Sequence, residues 1–205
     1  MTFQSFRRAH PNVAIVGATG AVGAELIRCL EERDFPLSRL KLLASPRSAG
    51  RRLTFRGEPL TVDALDAASF ADIDLALFSA GATQSREWAP RAVAAGAVVV
   101  DNSSAYRMDP DCPLVIPEVN PETLAGHRGI VANPNCTAII AAVATQPLHR
   151  AFGLTRVRMS TYQAASGAGA AAMEELRAST AAFLAGEPYE PRVLKHPYAF
   201  NLFSH

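Results

Sequence analysis

Two clusters in this 205-residue chain have residue types and spacings that chemistry could use. The first is Asn133-Pro134-Asn135-Cys136-Thr137, with a short apolar run, Gly129 to Ala132, leading into it. An Ala/Ile-rich segment with helical spacing, Thr137 to Arg150, leads out. Cys136 is therefore expected at a strand-to-helix turn, at the positive end of a helix dipole, where a thiolate is favoured and can act as a nucleophile. A buried, inert cysteine is the plainer alternative. The second cluster is Gly17-Ala18-Thr19-Gly20-Ala21-Val22-Gly23, spaced Gly-x-x-Gly-x-x-Gly rather than Gly-x-Gly-x-x-Gly. Glycines at such intervals let the backbone turn tightly and approach a pyrophosphate, which then rests on the amides of the next helix. A purely structural turn is the alternative.

Three further polar stretches carry candidate ligands. Ser45-Pro46-Arg47-Ser48 stands where a nucleotide fold that prefers NAD would place a carboxylate for the ribose hydroxyls. A guanidinium and two hydroxyls suit a 2′-phosphate instead, which favours NADP. Arg51 and Arg52 nearby leave a solvated basic loop as the other reading. Asp101 to Met108 is a polar loop after an apolar run, and Arg107 within it is a candidate anion clamp or a plain surface arginine. Gln163, at the head of Gln163-Ala164-Ala165-Ser166-Gly167-Ala168-Gly169, could hydrogen-bond a substrate or the sulfur, or sit idle in solvent.

These residues need a frame. Val13 to Val16 reads as a buried strand, followed by the glycine turn and a helix with Val22, Leu26, Cys29 and Leu30 on its apolar stripe. That helix closes near Asp34-Phe35-Pro36, and Leu40 to Ala44 is a second strand. Arg52 to Val62 reads as a hairpin turning at Gly57-Glu58-Pro59. Ile73 to Phe78 is a strand ending in the small-residue turn Ser79-Ala80-Gly81, which could lie against a cofactor. A helix from about Gln84 to Ala95, ended by Gly96, precedes a strand at Ala97 to Val100. Leu114 to Val119 carries Pro117 and Glu118 and reads as an edge segment or extended crossover, and Asn120-Pro121-Glu122 reads as a capped helix start. Thr155 to Tyr162 alternates like a strand with one wet face, and a helix spans roughly Ala170 to Leu184. Strand and helix alternate in this way in a parallel, doubly wound α/β sheet, where ligands bind beside the carboxyl ends of the strands.

Composition narrows the class. The chain is 49% hydrophobic with a formal net charge of +1, so neither a nucleic-acid surface nor an acidic tail is expected. Its three cysteines, Cys29, Cys112 and Cys136, are widely spaced and support neither a disulfide framework nor a metal site. Arg7 and Arg8 ahead of the Val13 to Val16 run imitate an export signal, but Gly17, Gly20, Gly23 and Glu25 break the apolar stretch. No run approaches the roughly 18 apolar residues of a membrane span. A soluble, cytoplasmic protein is expected.

Taken together and in order, Gly17 to Gly23, Ser45 to Gly50, Asp101 to Met108, Val115 to Asn120, Asn133 to Thr137 and Thr161 to Gly169 resemble the aspartate-β-semialdehyde dehydrogenase family. The resemblance implies a Rossmann-type NADP-binding domain over residues 1–133. Residues 134–205 would then begin an α+β catalytic and dimerisation domain. It implies interconversion of aspartyl-4-phosphate with aspartate-4-semialdehyde plus phosphate, a step in lysine (diaminopimelate), threonine, methionine and isoleucine biosynthesis. By this likeness Cys136 attacks the acyl phosphate, phosphate leaves, and hydride from NADPH reduces the acyl-thioester. Arg107 matches the phosphate-binding arginine and Gln163 the substrate-positioning glutamine. Thr19, Gly20, Ala21, Val22, Arg47, Ser48, Ser166 and Gly167 match cofactor contacts.

The departure lies at the other end. Family members continue well past this point, into a part that supplies an acid/base histidine, an arginine for the substrate carboxylate, a further phosphate-binding lysine and a last helix. His10, His127, His149, His196 and His205 match no such position. The expectation is a fragment, poorly active and weak for NADP, of a protein that is a homodimer at full length. Without a proton-transfer partner the loss is about 10²- to 10⁴-fold. A reductase of another acyl phosphate, such as N-acetyl-glutamyl phosphate, and a non-catalytic dinucleotide-binding module are the competing readings.

Overall fold

The computed structural model describes residues 8–204; Arg7, of the pair ahead of the first apolar run, and His205 lie outside them. The chain divides into two compact units, one running to Arg158 and the other from Met159 onward. In the first, β1 (Asn12–Val16) is buried at every position. Its side chains alternate between two cores, as strand geometry requires. Val13 and Ile15 join Leu40, Leu42 and Val62 on one face, while Ala14 and Val16 join Leu43, Phe70 and Phe78 on the other. A strand apolar on both sides needs cover on both sides. Ile27 and Leu30 of α1 (Ala21–Glu32) supply it on the first face, and Ala89 and Ala92 of α2 (Ala82–Ala94) on the second.

Around β1 stand β2 (Arg39–Ala44), β3 (Arg52–Phe55), β4 (Glu58–Ala64), β5 (Leu75–Phe78), β6 (Val98–Asp101) and β7 (Ile130–Ala132). Their order is β3-β4-β2-β1-β5-β6-β7, and every neighbouring pair is parallel except β3 with β4. This is the doubly wound, mostly parallel sheet expected. The chain grows outward from β1 to one side and then returns to add β5 on the other, so the switch point lies between β1 and β5. The registers align Val16, Phe78, Asp101 and Ala132 in one row. The loops after β1, β5, β6 and β7 therefore leave the sheet side by side.

Several local expectations are corrected. The buried stripe of α1 is Gly23, Ile27 and Leu30, while Val22 and Cys29 are exposed, because the helix is rotated to press Gly23 against the preceding turn. The hairpin turns at Arg56-Gly57, both with positive φ, and Pro59 pairs with Thr54 inside β4. Asn120 starts only a short 3-10 turn, Pro121–Gly126. Its carboxamide does not cap that turn, but accepts from Ile116 N and donates to Leu114 O. Of Leu114 to Val119 only Leu114 to Ile116 runs extended, joined to the sheet by a parallel bridge from Leu114 to Ala132; Pro117 to Val119 is a turn, with Val119 N donating to Ile116 O at 2.8 Å. Thr155 to Tyr162 forms no strand: it pairs with none of the strands among the described residues, and without a partner its alternation does not make a sheet.

Helix α3 (Cys136–Phe152) follows β7 and ends on Gly153 in the left-handed conformation. It has no fully buried residue; Ile140 is 73% and Phe152 80% exposed. In the second unit a 3-10 turn, Ala165–Ala168, precedes α4 (Ala170–Ala185). Glu175 of α4 accepts hydrogen bonds from the backbone amides of Arg192, Val193 and Leu194, fixing that segment on the helix. Among the described residues no helix is long and apolar enough to cross a membrane.

Candidate active site

Three helices start at the carboxyl edge of the sheet: α1 after β1, α2 after β5 and α3 after β7. None has an acidic residue in its first turn, and α1 and α2 have no side-chain cap. Their leading amides and the positive ends of their dipoles are thus open to an anion. The glycine turn fits that role by its close packing. A Cβ on Gly17, whose φ is +93°, would lie 2.4 Å from Ser79 O, and one on Gly23 would lie 2.2 Å from Gly17 O. Gly17 thus lets the β1 turn lie against the β5 turn, and Gly23 lets α1 sit directly on the turn it follows. Thr19, Gly20, Ala21 and Val22 form the loop and the start of the helix, with Gly20 N donating to Gly17 O at 3.0 Å.

After β2, Ser45 leads a 3-10 turn, Pro46–Ser48, closed by Ser48 N donating to Ser45 O at 2.9 Å. Ser45 and Arg47 are exposed and Ser48 is half-buried. Arg47 makes no ion pair or side-chain hydrogen bond among the described residues, so its guanidinium is free to take a phosphate.

On the other side of β1, the loops after β6 and β7 are tied together. Arg107, half-buried and without a carboxylate partner among the described residues, donates from Nε to Asn133 O at 3.0 Å and from Nη2 to Asn102 O at 3.1 Å. Asn133 Nδ2 donates to Asn102 Oδ1 at 2.7 Å. Three residues on, Cys136 is the first residue of α3 and is exposed. Asn135 caps the helix by accepting from Thr137 N at 3.0 Å, and Cys136 Sγ lies 4.0 Å from Thr137 Oγ1. Cys136 is therefore exposed at the same sheet edge as the glycine turn, three residues beyond the carbonyl that Arg107 holds, and Arg107 Nη1 has no acceptor among the described residues. Such a set can hold an anionic leaving group next to a sulfur nucleophile.

Asp101, at the end of β6, is fully buried. Its Oδ1 accepts from Ser85 Oγ at 2.7 Å and Ser103 N at 3.1 Å, and its Oδ2 from Ser103 Oγ at 2.7 Å. Tyr106 OH donates to Ser85 O at 3.2 Å, and burial followed by the Asp101 charge pushes the phenol above its ordinary value. The sequence marks Asp101 and Asn102 only as part of a polar loop and Asn133 only as the start of the cysteine turn, and it carries no signal for Ser85. The available signal was a carboxylate closing the all-valine run of a core strand.

The remaining candidates belong to the second unit. Gln163 is exposed, its carbonyl accepts from Tyr198 OH at 2.6 Å, and its carboxamide lies over Gly167, where a Cβ would meet Nε2 at 2.3 Å. Ser166 and Gly167 are exposed in the 3-10 turn. Of the histidines, His127 is committed locally, its Nδ1 accepting from Gly129 N at 3.1 Å.

Residues 12–127 match the family model of the semialdehyde dehydrogenase NAD binding domain. The chain belongs to the semialdehyde dehydrogenase family. Residues 145–205 match that family's dimerisation domain. Aspartate-semialdehyde dehydrogenase of Synechocystis sp. is 54% identical over 193 residues, which are 94% of this chain and 57% of that protein. The chain thus spans little more than half of that relative's length. The crystal structure of aspartate semialdehyde dehydrogenase II from Vibrio cholerae complexed with ASA superposes with a TM-score of 0.89 at 46% identity, covering 95% of this chain and 58% of that one. The Candida albicans aspartate semialdehyde dehydrogenase with NADP superposes at 0.61 and 26% identity, over 70% of this chain and 48% of that one.

Proposed function

We propose that this chain carries the nucleotide site and the nucleophile of an NADP-dependent aspartate-semialdehyde dehydrogenase. It would interconvert aspartyl-4-phosphate with aspartate-4-semialdehyde plus phosphate, on the route to lysine, threonine, methionine and isoleucine. The observation that carries this is the exposed Cys136 at the start of α3, three residues beyond the Asn133 carbonyl on which Arg107 closes. Cys136 Sγ attacks the acyl carbon, a C–S bond forms, the C–O bond to phosphate breaks, and the phosphate leaves on the Arg107 guanidinium. The positive end of the α3 dipole favours the oxyanion that this attack generates. Gln163 orients the substrate. A nicotinamide dinucleotide, when bound, supplies or accepts the hydride. Gly17, Thr19, Gly20, Ala21, Val22 and Gly23 would hold its pyrophosphate and Ser45, Arg47 and Ser48 its 2′-phosphate, and Ser166 and Gly167 are the further cofactor-binding candidates.

In this assignment residues 1–133 serve the nucleotide and 134–205 begin the catalytic and dimerisation part of a cytoplasmic homodimer. The apolar, uncovered Ile140 and Phe152 of α3 and the dimerisation-domain match support the dimer.

The acylation half-reaction tests the proposal on the chain itself. Incubation with aspartyl-4-phosphate should add one aspartyl group to Cys136, detectable by intact and peptide mass, and at least about 10³ times more slowly to a Cys136→Ser chain. Acylation elsewhere, or preferential acylation by N-acetyl-glutamyl phosphate, would overturn it.

A further inference from the structure

Asp101 is an anomaly the chemistry above leaves unused. It is a carboxylate at 0% exposure with no ion-pair partner among the described residues, and its three donors are all uncharged. A buried carboxylate is costly to keep where an amide or an apolar side chain would fill the space. Its setting explains what the carboxylate obtains. Ser85 anchors it to the end of the first turn of α2, whose N-terminus is uncapped and favours an anion. Both carboxylate oxygens then grip Ser103, by its amide and by its hydroxyl, and that hydroxyl accepts from Ala105 N at 3.0 Å. Two residues further is Arg107, which donates to Asn133 O, and Asn133 N in turn donates to the Asp101 carbonyl at 2.8 Å. The links close a ring: Asp101, Ser103, Ala105, Arg107, Asn133 and back to Asp101.

We propose that Asp101 is the positioning residue of the anion clamp, fixing the 102–107 loop through Ser103 so that Arg107 is held with its Nη1 hydrogens open beside Cys136. The proposal rests on the assignment of Arg107 to a phosphate. A neutral amide in place of Asp101 cannot replace it link for link. One oxygen would become a donor facing Ser103 Oγ, which already accepts from Ala105 N, and the serine hydrogen would lose its acceptor.

The test uses the 205-residue chain, with inorganic phosphate as the ligand and alkylation of Cys136 by iodoacetamide as the readout. Phosphate on Arg107 should slow alkylation in the unaltered chain, and Arg107→Ala should abolish that protection. Asp101→Asn should raise the half-protecting phosphate concentration about tenfold or more, and Ser103→Ala several-fold, as loss of a hydrogen bond to a charged group implies. Alkylation without phosphate and NADP binding should stay within about twofold in both, whereas general damage would move all three readouts. If Asp101→Asn does not fold, Ser103→Ala decides, since it breaks the same link and leaves the carboxylate in place. Protection abolished by Arg107→Ala but unchanged in both other variants overturns the positioning role alone. Absence of protection in the unaltered chain, or protection that survives Arg107→Ala, removes the anion assignment and this proposal with it.

Discussion

Replacing Gly23 by alanine sets two physical effects against each other. Gly23 is the third residue of α1, in helical backbone, and alanine is favoured over glycine there by about 0.8–1 kcal/mol. Helix propensity alone therefore predicts a more stable protein. The packing predicts the reverse. The added Cβ would stand 2.2 Å from Gly17 O and 2.7 and 2.8 Å from the Cα and carbonyl carbon of Ala18, all backbone atoms of the nucleotide turn. Ordinary carbon contacts begin at about 3.5 Å, so helix and turn must separate by roughly 1 Å. Overpacking of this kind costs about 1–3 kcal/mol, and the upper half of that range applies where no flexible side chain can yield. The net expectation is a loss of about 1–2 kcal/mol, or a fall in melting temperature of roughly 2–8 °C for a chain of this size.

Thermal unfolding gives the first number and a fluorescence titration with NADPH the second. Because the pyrophosphate is assigned to the amides that must retreat, affinity should fall by about tenfold or more, beyond the loss in stability. Gly20→Ala is the control. Its Cβ would meet only Gly17 O, at 3.3 Å, and its φ is an ordinary −80°, so the melting temperature should change little. A Gly23→Ala chain that melts no lower and binds NADPH as before would refute the close approach of α1 to its turn, and with it the physical basis of the nucleotide site.

Two further outcomes follow from single side chains. Arg47→Asp removes the exposed guanidinium after β2 and adds a carboxylate, so NADP affinity should fall at least about tenfold while NAD affinity holds or rises, measured by paired titrations; equal loss for both would end the 2′-phosphate assignment. Burial works against the Glu175 charge, but the amides of Arg192, Leu194 and Val193 together outweigh it and hold the carboxyl below its ordinary value. A depressed folded value stabilises above the unfolded value of about 4.3 and is lost as pH falls through the folded one. The melting-temperature gap between the unaltered chain and Glu175→Gln should be widest near neutrality and close below about pH 4, and a gap that does not depend on pH would refute the three-amide account.

What could be read in the residues, and what could not, divides along a physical line. Apolar runs such as Val13 to Val16 and Val98 to Val100 report burial on both faces directly, so the sheet and its parallel sense were legible. Periodicity does not report which neighbour a helix turns toward. The α1 stripe was misplaced because Gly23, with no side chain to signal contact, is the residue that sets the rotation. Asn120 was misread for a related reason. Its type is right for a cap, but its carboxamide is taken by the Leu114 carbonyl as acceptor and the Ile116 amide as donor, and the following turn is left uncapped by it. The site shows the same division. Cys136, Arg107 and the glycine turn stand out in the sequence because the chemistry proposed for each belongs to its own residue type. Asn102 and Asn133 meet through the register that brings β6 beside β7, pairing Asp101 with Ala132 one step before Asn133. The contact between Asn102 and Asn133 spans some thirty positions and exists only once the sheet has formed, while the local mark at Asp101, a carboxylate closing an all-valine run, does not name its partners.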